Sequence, residues 1–302
     1  MKAVVIRAYG GPEELKFEEW PDPVAGPGEV LIRVAATSVN PFDWKVRSGA
    51  YRNMFPLNFP AILGADVAGI VDAVGTGVDN FAPGDSVFGQ ARQTYATLCA
   101  AKAADLARVP NQMDVVEIAA LPTVTTTGAQ LAELATHGRQ RGTVLVTGAV
   151  GSVGRSAVFI AKESGWTVIA GVRNRQMQEA KTIGADRVVG LDDEASLKSL
   201  EPVDAIADTI SGATADQLIG KVKNGGVFAS VLAAPGNAST YPNVMVETMQ
   251  AKPAPATLIR MAEAVRAGSL VIPLGQRYAL RDASKAHSAA EKGAAGKLLL
   301  LP

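Results

Sequence analysis

The sequence predicts an α/β protein in which a doubly wound parallel sheet is inserted into a β-rich domain. Three observations predict this fold. Short strands separated by glycine and proline turns fill the first part of the chain. Beyond Asp114, short apolar strands alternate with helical patterns, which is typical of a parallel sheet. The final strand, Lys297 to Leu301, is more similar to the first part than to the second, so the β-rich domain is expected to be discontinuous.

The β-rich part is punctuated by Gly26-Pro27-Gly28 and Pro83-Gly84, which mark turns. Strands are predicted at Lys2–Ala8, Leu15–Trp20, Glu29–Ser38, Ala68–Val74 and Asp85–Phe88. Short strands at this spacing indicate a compact antiparallel barrel or sandwich.

The second part begins with helices predicted at Val115–Ala120 and Thr125–His137. Its parallel strands are predicted at Thr143–Thr147, Thr167–Gly171, Arg187–Val189, Asp204–Asp208 and Val227–Leu232. The predicted helices are Val153–Lys162, Arg175–Ile183, Asp193–Leu200, Ala213–Lys221, Thr257–Ala267 and, nearer the end, Tyr278–Gly293. The expected domains are therefore 1–120 with 272–302, and 121–271.

A glycine-rich loop lies at the first parallel strand, where residues 143–154 read TVLVTGAVGSVG. Gly148 allows a tight exit from the strand, Gly151 lets the backbone approach a pyrophosphate, and Gly154 lets the next helix pack closely. The free N–H groups at the start of that helix would face the phosphates. The pattern predicts a dinucleotide site, with a plain glycine turn as the alternative.

Composition excludes several classes of function. The 302 residues contain 29 basic and 29 acidic side chains, which argues against nucleic acid or an anionic membrane as a partner. No apolar run is long enough to cross a bilayer, and the first residues favour a strand over a signal peptide. A single cysteine, Cys99, excludes an internal disulfide and fits the reducing cytoplasm.

The order of motifs resembles the zinc-free quinone oxidoreductase branch of the medium-chain dehydrogenase/reductase superfamily. The matching segments are 38–43 (SVNPFD), 47–51 (RSGAY), 63–69 (LGADVAG), 83–89 (PGDSVFG), 95–96, the glycine loop, 184–186, 225–226 and 296–298. This resemblance implies a GroES-like barrel and a Rossmann domain, with NADPH bound between them. It also implies a homodimer formed through the edge of the Rossmann sheet, where 232–246 would supply an additional edge strand.

A metal site is not expected. Zinc relatives have a cysteine where this chain has Asn40, and Gly-His-Glu where it has Gly64-Ala65-Asp66. Zinc needs three or four converging Cys, His or carboxylate ligands, and the chain has one Cys and two His. Without a Lewis acid to hold an alkoxide, the favoured acceptor spreads negative charge itself, as a quinone or an α,β-unsaturated carbonyl does.

The loop after the second parallel strand favours NADPH over NADH. It reads Arg173-Asn174-Arg175, with no nearby acid in the sequence to bind a ribose 2′-hydroxyl, and guanidinium groups suit a 2′-phosphate. The alternative is that both arginines are solvated at a helix start. The predicted cofactor contacts are Thr127, Gly148, Ala149, Gly151, Ser152, Val153, Gly154, Arg173, Asn174, Arg175 and Leu232.

Three residues of the family's active-site segments are candidates for binding the acceptor oxygen. Asn40 could donate to a carbonyl or to the nicotinamide ribose, with an Asn-Pro turn as the alternative. Lys45 could donate a hydrogen bond or a proton, or contact the cofactor, with a surface lysine as the alternative. The phenol of Tyr51 could bind a carbonyl while its ring stacks on a flat substrate, or the ring could simply pack the barrel.

The remaining polar residues favour structural roles. Asp43 and Asp66 are expected to fix loops, with Arg47 or Lys45 among their partners. Cys99, His137 and His287 are expected to be structural. The preferred function is NADPH-dependent reduction of a quinone or enone; the alternatives are a zinc-free carbonyl or alcohol dehydrogenase and a non-catalytic NADPH-binding protein.

Overall fold

The computed structural model describes residues 1–136 and 141–302. The strands are β1 (Lys2–Ile6), β2 (Lys16–Glu19), β3 (Glu29–Ser38), β4 (Ala61–Ile62), β5 (Asp66–Val74), β6 (Ser86–Gln90), β7 (Leu98–Lys102), β8 (Leu106–Arg108), β9 (Thr143–Thr147), β10 (Thr167–Val172), β11 (Arg187–Gly190), β12 (Val203–Asp208), β13 (Val222–Ser230), β14 (Met245–Thr248), β15 (Leu274–Ala279) and β16 (Lys297–Leu301). The α-helices are α1 (Pro41–Arg47), α2 (Pro122–Thr136), α3 (Ser152–Glu163), α4 (Met177–Ala180), α5 (Glu194–Ser199), α6 (Ala213–Leu218), α7 (Pro255–Arg266) and α8 (Ala283–Glu291).

The chain forms two compact units. The first comprises Met1–Thr123, Pro253–Arg266 and Ile272–Pro302, and the second comprises Val124–Lys252 and Ala267–Val271. Among the described residues, no helix is both long enough and apolar enough to cross a membrane.

Two sheets build the first unit. β2, β1 and β4 form one, and the order of the other is β15-β16-β3-β5-β6-β8, with β7 also paired to β3. Along β3, the alternating Val30, Ile32 and Val34 are buried, and they pack with Val67 and Val71 of β5. Alternation of this kind places one face of a strand against the core.

A single parallel sheet builds the second unit, in the order β11-β10-β9-β12-β13-β14. Val144, Leu145 and Val146 of β9 are all fully buried, so both faces of this central strand are covered, as a parallel sheet requires. The strand order reverses between β9 and β12, which is where nucleotides bind in doubly wound folds. The predicted fold class is confirmed.

One long segment differs from the expected division of the chain. Helix α7 lies within 121–271, yet its contacts place it in the first unit. The reason is its apolar face: Leu258, Met261 and Ala262 are buried, and the helix packs against β8 of that unit.

Several local predictions were wrong. Helix α1 was not predicted, and Tyr278 lies in β15 rather than in the final helix. The fifth strand of the parallel sheet ends at Ser230, because the Leu232 amide turns back to donate to the Ser230 hydroxyl at 3.2 Å. Two predicted helices are also shorter: residues 117–120 form only a 3₁₀ turn, and α4 spans four residues.

Candidate active site and nucleotide-binding loop

Helix α1 follows β3 closely, and Asn40 is the residue that caps its start. The backbone N–H of Asn40 donates to the Asp43 carboxylate at 2.8 Å. Pro41 occupies the first helical position, where no N–H donor is needed. This contact satisfies an amide that a helix start would otherwise leave unpaired. An Asn-Pro pair with Asp three residues later is a helix-start signal, which the interpretation as a turn overlooks.

The Asn40 side chain is enclosed and bonded at both ends. Its Nδ2 donates to Asp66 at 2.8 Å, its Oδ1 accepts from Lys297 Nζ at 2.7 Å, and the residue is 2% exposed. These contacts do not fit the prediction that Asn40 donates to a substrate carbonyl. They fit a structural role for Asn40, at the start of a helix rather than in the Asn-Pro turn of the alternative.

Lys297 and Asp66 complete this buried cluster. Lys297 also donates to the Val39 carbonyl at 3.0 Å, while Asp66 accepts from the Ser38 hydroxyl and from both the amide and hydroxyl of Thr123. Burial lowers the pKa of Lys297, and the charges of Asp66 and Asp43 act in the opposite direction. Sequence reasoning missed Lys297, although a lysine heading the apolar strand 297–301 was an available signal.

A second buried chain of hydrogen bonds links Arg47 to Asp43 through His287 and Tyr95. Arg47 Nη1 lies 3.1 Å from His287 Nδ1, and because a guanidinium only donates, Nδ1 is the acceptor. His287 Nε2 therefore carries the proton and donates to the Tyr95 hydroxyl at 3.0 Å, and Tyr95 donates to Asp43. Asp43 and His287 have structural contacts, as expected, but the partners of Asp43 are the Asn40 backbone amide and Tyr95 rather than Arg47 or Lys45.

Burial shifts the pKa values of two members of this chain, Asp43 and His287. Loss of water raises the pKa of Asp43 to about 7, although the hydrogen bond from the Asn40 backbone N–H acts to lower it. It lowers the pKa of His287 to about 3, assisted by the charge of Arg47. Both groups therefore favour their neutral forms more than they would in water.

The other two candidates, Lys45 and Tyr51, are joined to each other. Lys45 Nζ donates to the Tyr51 hydroxyl at 3.3 Å, and both residues are half-buried. The ammonium lies 5.4 Å from the Tyr51 ring and 5.6 Å from the Trp44 ring, within range of cation–π attraction. Phe42 and Phe55 lie against Tyr51, with ring centroids 6.2 Å away. The structure thus places a pair of hydrogen-bond donors within a group of aromatic rings.

In the second unit, the glycine loop has the shape that a pyrophosphate cradle requires. Gly148 has φ of +60°, and a Cβ on Gly154 would collide with the Gly148 carbonyl. Gly151 begins α3 without any side-chain cap, so the first amides of the helix remain available to an anion. A Cβ on Gly128 would likewise collide with α3, so α2 approaches the first turns of α3 closely. These features fit a bound dinucleotide.

The other predicted cofactor contacts follow β10, follow β13 or lie on α2. Arg173, Asn174 and Arg175 follow β10 and are exposed, and Leu232 follows β13 and is 36% exposed. Thr127 is partly exposed on α2. Their contacts with a cofactor stay predictions.

Sequence reasoning missed two acidic residues at or just beyond the ends of parallel strands. Asp208 is fully buried and accepts from Thr147 at 2.7 Å and from Ser230 at 2.9 Å, which ties the ends of β9, β12 and β13 together. An acid closing an apolar strand could have signalled it. Asp192 accepts from the Asn174 amide at 2.7 Å, although 18 residues separate them. No local sequence pattern indicates this second contact.

Within residues 1–136 and 141–302, no three His, Cys, Asp or Glu side chains converge as metal ligands. The absence of zinc stays a prediction. Cys99 is 2% exposed, and burial raises the pKa of its thiol to about 12, which fits the expected structural role. His137 lies outside the described residues.

Comparison with known proteins agrees with this architecture. Residues 26–156 match the family model of the alcohol dehydrogenase GroES-like domain, and residues 183–300 match that of the zinc-binding dehydrogenases. A chloroplast envelope quinone oxidoreductase homolog of Arabidopsis thaliana is 30% identical, with 100% of this chain and 98% of that protein covered. The chain therefore belongs to the medium-chain dehydrogenase/reductase superfamily, within its quinone oxidoreductase branch.

Solved structures show the same fold over the whole chain. The quinone oxidoreductase of Coxiella burnetii superposes with a TM-score of 0.90 at 28% identity, covering 100% of this chain and 99% of that one. An NAD-dependent alcohol dehydrogenase gives 0.87 at 29% identity, and a mycobacterial protein complexed with NADPH gives 0.85 at 27%; both chains are covered fully in each case.

Proposed function

We propose that this protein transfers a hydride from NADPH to a quinone or an α,β-unsaturated carbonyl without a metal ion. Its relatives named as quinone oxidoreductases support the reaction class, and a structural neighbour complexed with NADPH supports the cofactor. The observation that carries the proposal is the hydrogen-bonded pair of Lys45 and Tyr51 among aromatic rings.

NADPH, when bound, supplies the hydride. The glycine loop from Gly148 to Gly154 would hold the pyrophosphate, and Arg173 with Arg175 would hold the 2′-phosphate. Lys45 Nζ and Tyr51 Oη would donate to the acceptor oxygen as negative charge develops on it. A conjugated acceptor delocalises this charge, so two donors suffice where an ordinary ketone would need a Lewis acid.

The test is a screen of NADPH oxidation with quinones, enones and simple ketones, repeated with Tyr51→Phe and Lys45→Met. We expect each variant to lose about 10²–10³ in turnover, the usual loss when one oxyanion donor is removed. Affinity for NADPH should stay unchanged, because neither side chain lies in the glycine loop. Tyr278→Phe is the matched control, since the one bond that its hydroxyl makes to a described residue is to Gln276, at 3.0 Å.

Two outcomes would reject the proposal. Oxidation of simple alcohols with no reduction of quinones or enones would favour the alcohol dehydrogenase alternative. Tight NADPH binding with no turnover of any acceptor would favour a non-catalytic binding protein.

A cytoplasmic location and a homodimer are also part of the proposal. The single cysteine supports the first, because a reducing compartment keeps its thiol free. The exposed edge of β14 supports the second, because that strand pairs only with β13 among the described residues.

A further inference from the structure

A carboxylate lies at the end of the second parallel strand, where the local sequence has none. Asp192 Oδ1 accepts from the amide of Asn174, which is two residues beyond the end of β10, at 2.7 Å. Asp192 reaches this place because β11 pairs in parallel with β10, with Gly190 opposite Val172. The neighbouring strand thus supplies in space an acid that the loop lacks in sequence.

The surrounding contacts hold this carboxylate at the loop. The Asn174 side chain lies so close to Gly190 that a Cβ there would collide with its Oδ1, so the two strand ends are held together. The adjacent Asp193 is engaged elsewhere, accepting from the Ser196 amide at 2.8 Å to cap α5. Asp192 is exposed beside Asn174, and the sequence neighbours of Asn174, Arg173 and Arg175, are exposed as well.

The Asp192 carboxylate and the two guanidinium groups favour different substituents at the 2′ position of a bound nucleotide's ribose. In dinucleotide folds the adenosine ribose lies at the end of the second strand, where a carboxylate accepts its 2′-hydroxyl and guanidinium groups hold a 2′-phosphate. A carboxylate also repels a 2′-phosphate, which carries between one and two negative charges.

We propose that Asp192 is a specificity-determining residue: it binds the 2′-hydroxyl of NADH and opposes the 2′-phosphate of NADPH. The attraction of the arginines for the 2′-phosphate and its repulsion by Asp192 then offset each other, so the protein binds both cofactors. Loss of Asp192 makes it selective for NADPH. This inference rests on the proposed function only in that a nicotinamide dinucleotide occupies the glycine loop.

The experiment measures binding of adenosine fragments by calorimetry, without nicotinamide or acceptor. The probes are 2′,5′-ADP, which carries the 2′-phosphate, and 5′-AMP, which does not. For Asp192→Asn we expect binding of 2′,5′-ADP to tighten about tenfold as one negative charge is removed. For Asp192→Ala we expect binding of 5′-AMP to weaken about tenfold, since a hydrogen bond to a charged group is lost. The double variant Arg173→Ala with Arg175→Ala should instead weaken 2′,5′-ADP and leave 5′-AMP nearly unchanged.

Asp186→Asn is the matched control. Its carboxylate also accepts a backbone amide, that of Val168 at 2.7 Å, but near the start of β10 rather than beyond its end. The control loses the same charge and should leave the ratio of the two affinities unchanged.

The proposal is wrong if Asp192→Asn leaves that ratio within twofold of the unmodified protein, or changes both affinities equally. Asp192 would then only hold the loop. Absence of quinone turnover would not affect this measurement, so the two proposals fail separately. If the unmodified protein binds neither fragment, the nucleotide site itself is wrong and both proposals fail.

Discussion

At the scale of single residues, burial distinguishes two sets of polar side chains in the first unit. Asn40, Asp66 and Lys297 are at most 6% exposed and bonded to one another. An unpaired buried polar group costs about 1–3 kcal/mol, so these partners are fixed. Lys45 and Tyr51 are half-buried, share one hydrogen bond, and lie where a ligand can reach them. Only the second set has donors available for chemistry.

The buried chain from His287 to Asp43 predicts a pH dependence of stability. His287 has a folded-state pKa of about 3 against 6.5 when unfolded, so below pH 6.5 the unfolded state binds the extra proton. The free energy of unfolding then falls as the pH falls, by at most about 1.4 kcal/mol per pH unit. Asp43 has a folded-state pKa of about 7 against 3.8, so it acts in the opposite direction between pH 7 and 3.8.

Urea denaturation between pH 4.5 and 7.5 separates the two contributions. Relative to the unmodified protein, His287→Gln should gain stability on acidification, because the opposing Asp43 contribution remains. Asp43→Asn should lose stability more steeply on acidification. Parallel curves for all three proteins would show that neither group titrates as its burial implies.

Predictability from sequence differs between these residues. Asp43 and Asp66 were expected to be structural because short carboxylates near turns bond to backbone amides. Asp192 could not be placed, because its contact depends on the pairing of two strands rather than on local sequence. The same holds for the partners of Asn40, which come from strands distant in sequence.

At the scale of elements, close backbone approaches shape the nucleotide loop. Gly148 turns the chain out of β9, and Gly154 brings α3 against that turn. The amides of α3 are therefore positioned by the backbone alone, and side chains at these positions would displace them.

Gly154→Ala tests this packing. Its Cβ would overlap the Gly148 carbonyl and lie 2.7 Å from Ala149 Cα, so we expect a loss of about 1–3 kcal/mol in the free energy of unfolding. Binding of 2′,5′-ADP should weaken as well. Fluorescence of Trp166, which is buried in the second unit, follows the urea denaturation.

Gly236→Ala is the control for this substitution. The nearest atom to its Cβ would be an Asp216 oxygen at 3.5 Å, an ordinary contact, so stability should change by less than about 0.5 kcal/mol. Equal losses in both variants would contradict a special role for close packing at Gly154.

The elements predicted with correct bounds are those whose signals are local. β9 and β16 are apolar runs bounded by glycine or polar residues, and both match the prediction at each end. Helix α1 has only seven residues, too few for its own propensity to hold it. Its stability comes from the buried contacts of Asp43 and Arg47 with residues far along the chain, so tertiary structure decides it.

At the scale of the whole molecule, β14 forms one edge of the six-stranded sheet. β14 pairs with β13 on one side, and its Met245 side chain is 44% exposed. The predicted edge segment, 232–246, includes only the first two residues of this strand. An unpaired edge invites association with another strand, and a chain of zero formal charge offers little electrostatic opposition to a second copy.

We therefore expect a homodimer formed through β14. Light scattering at micromolar concentration should give about twice the chain mass of 31.2 kDa. Met245→Lys places a charge at the edge strand and should shift the protein toward the monomer, because burying an unpaired ammonium is costly. Val24→Lys adds the same charge at a position that is 85% exposed in the first unit, and it should leave the mass unchanged. A monomeric unmodified protein would refute the dimer, and a dimer that persists in Met245→Lys would place the interface elsewhere.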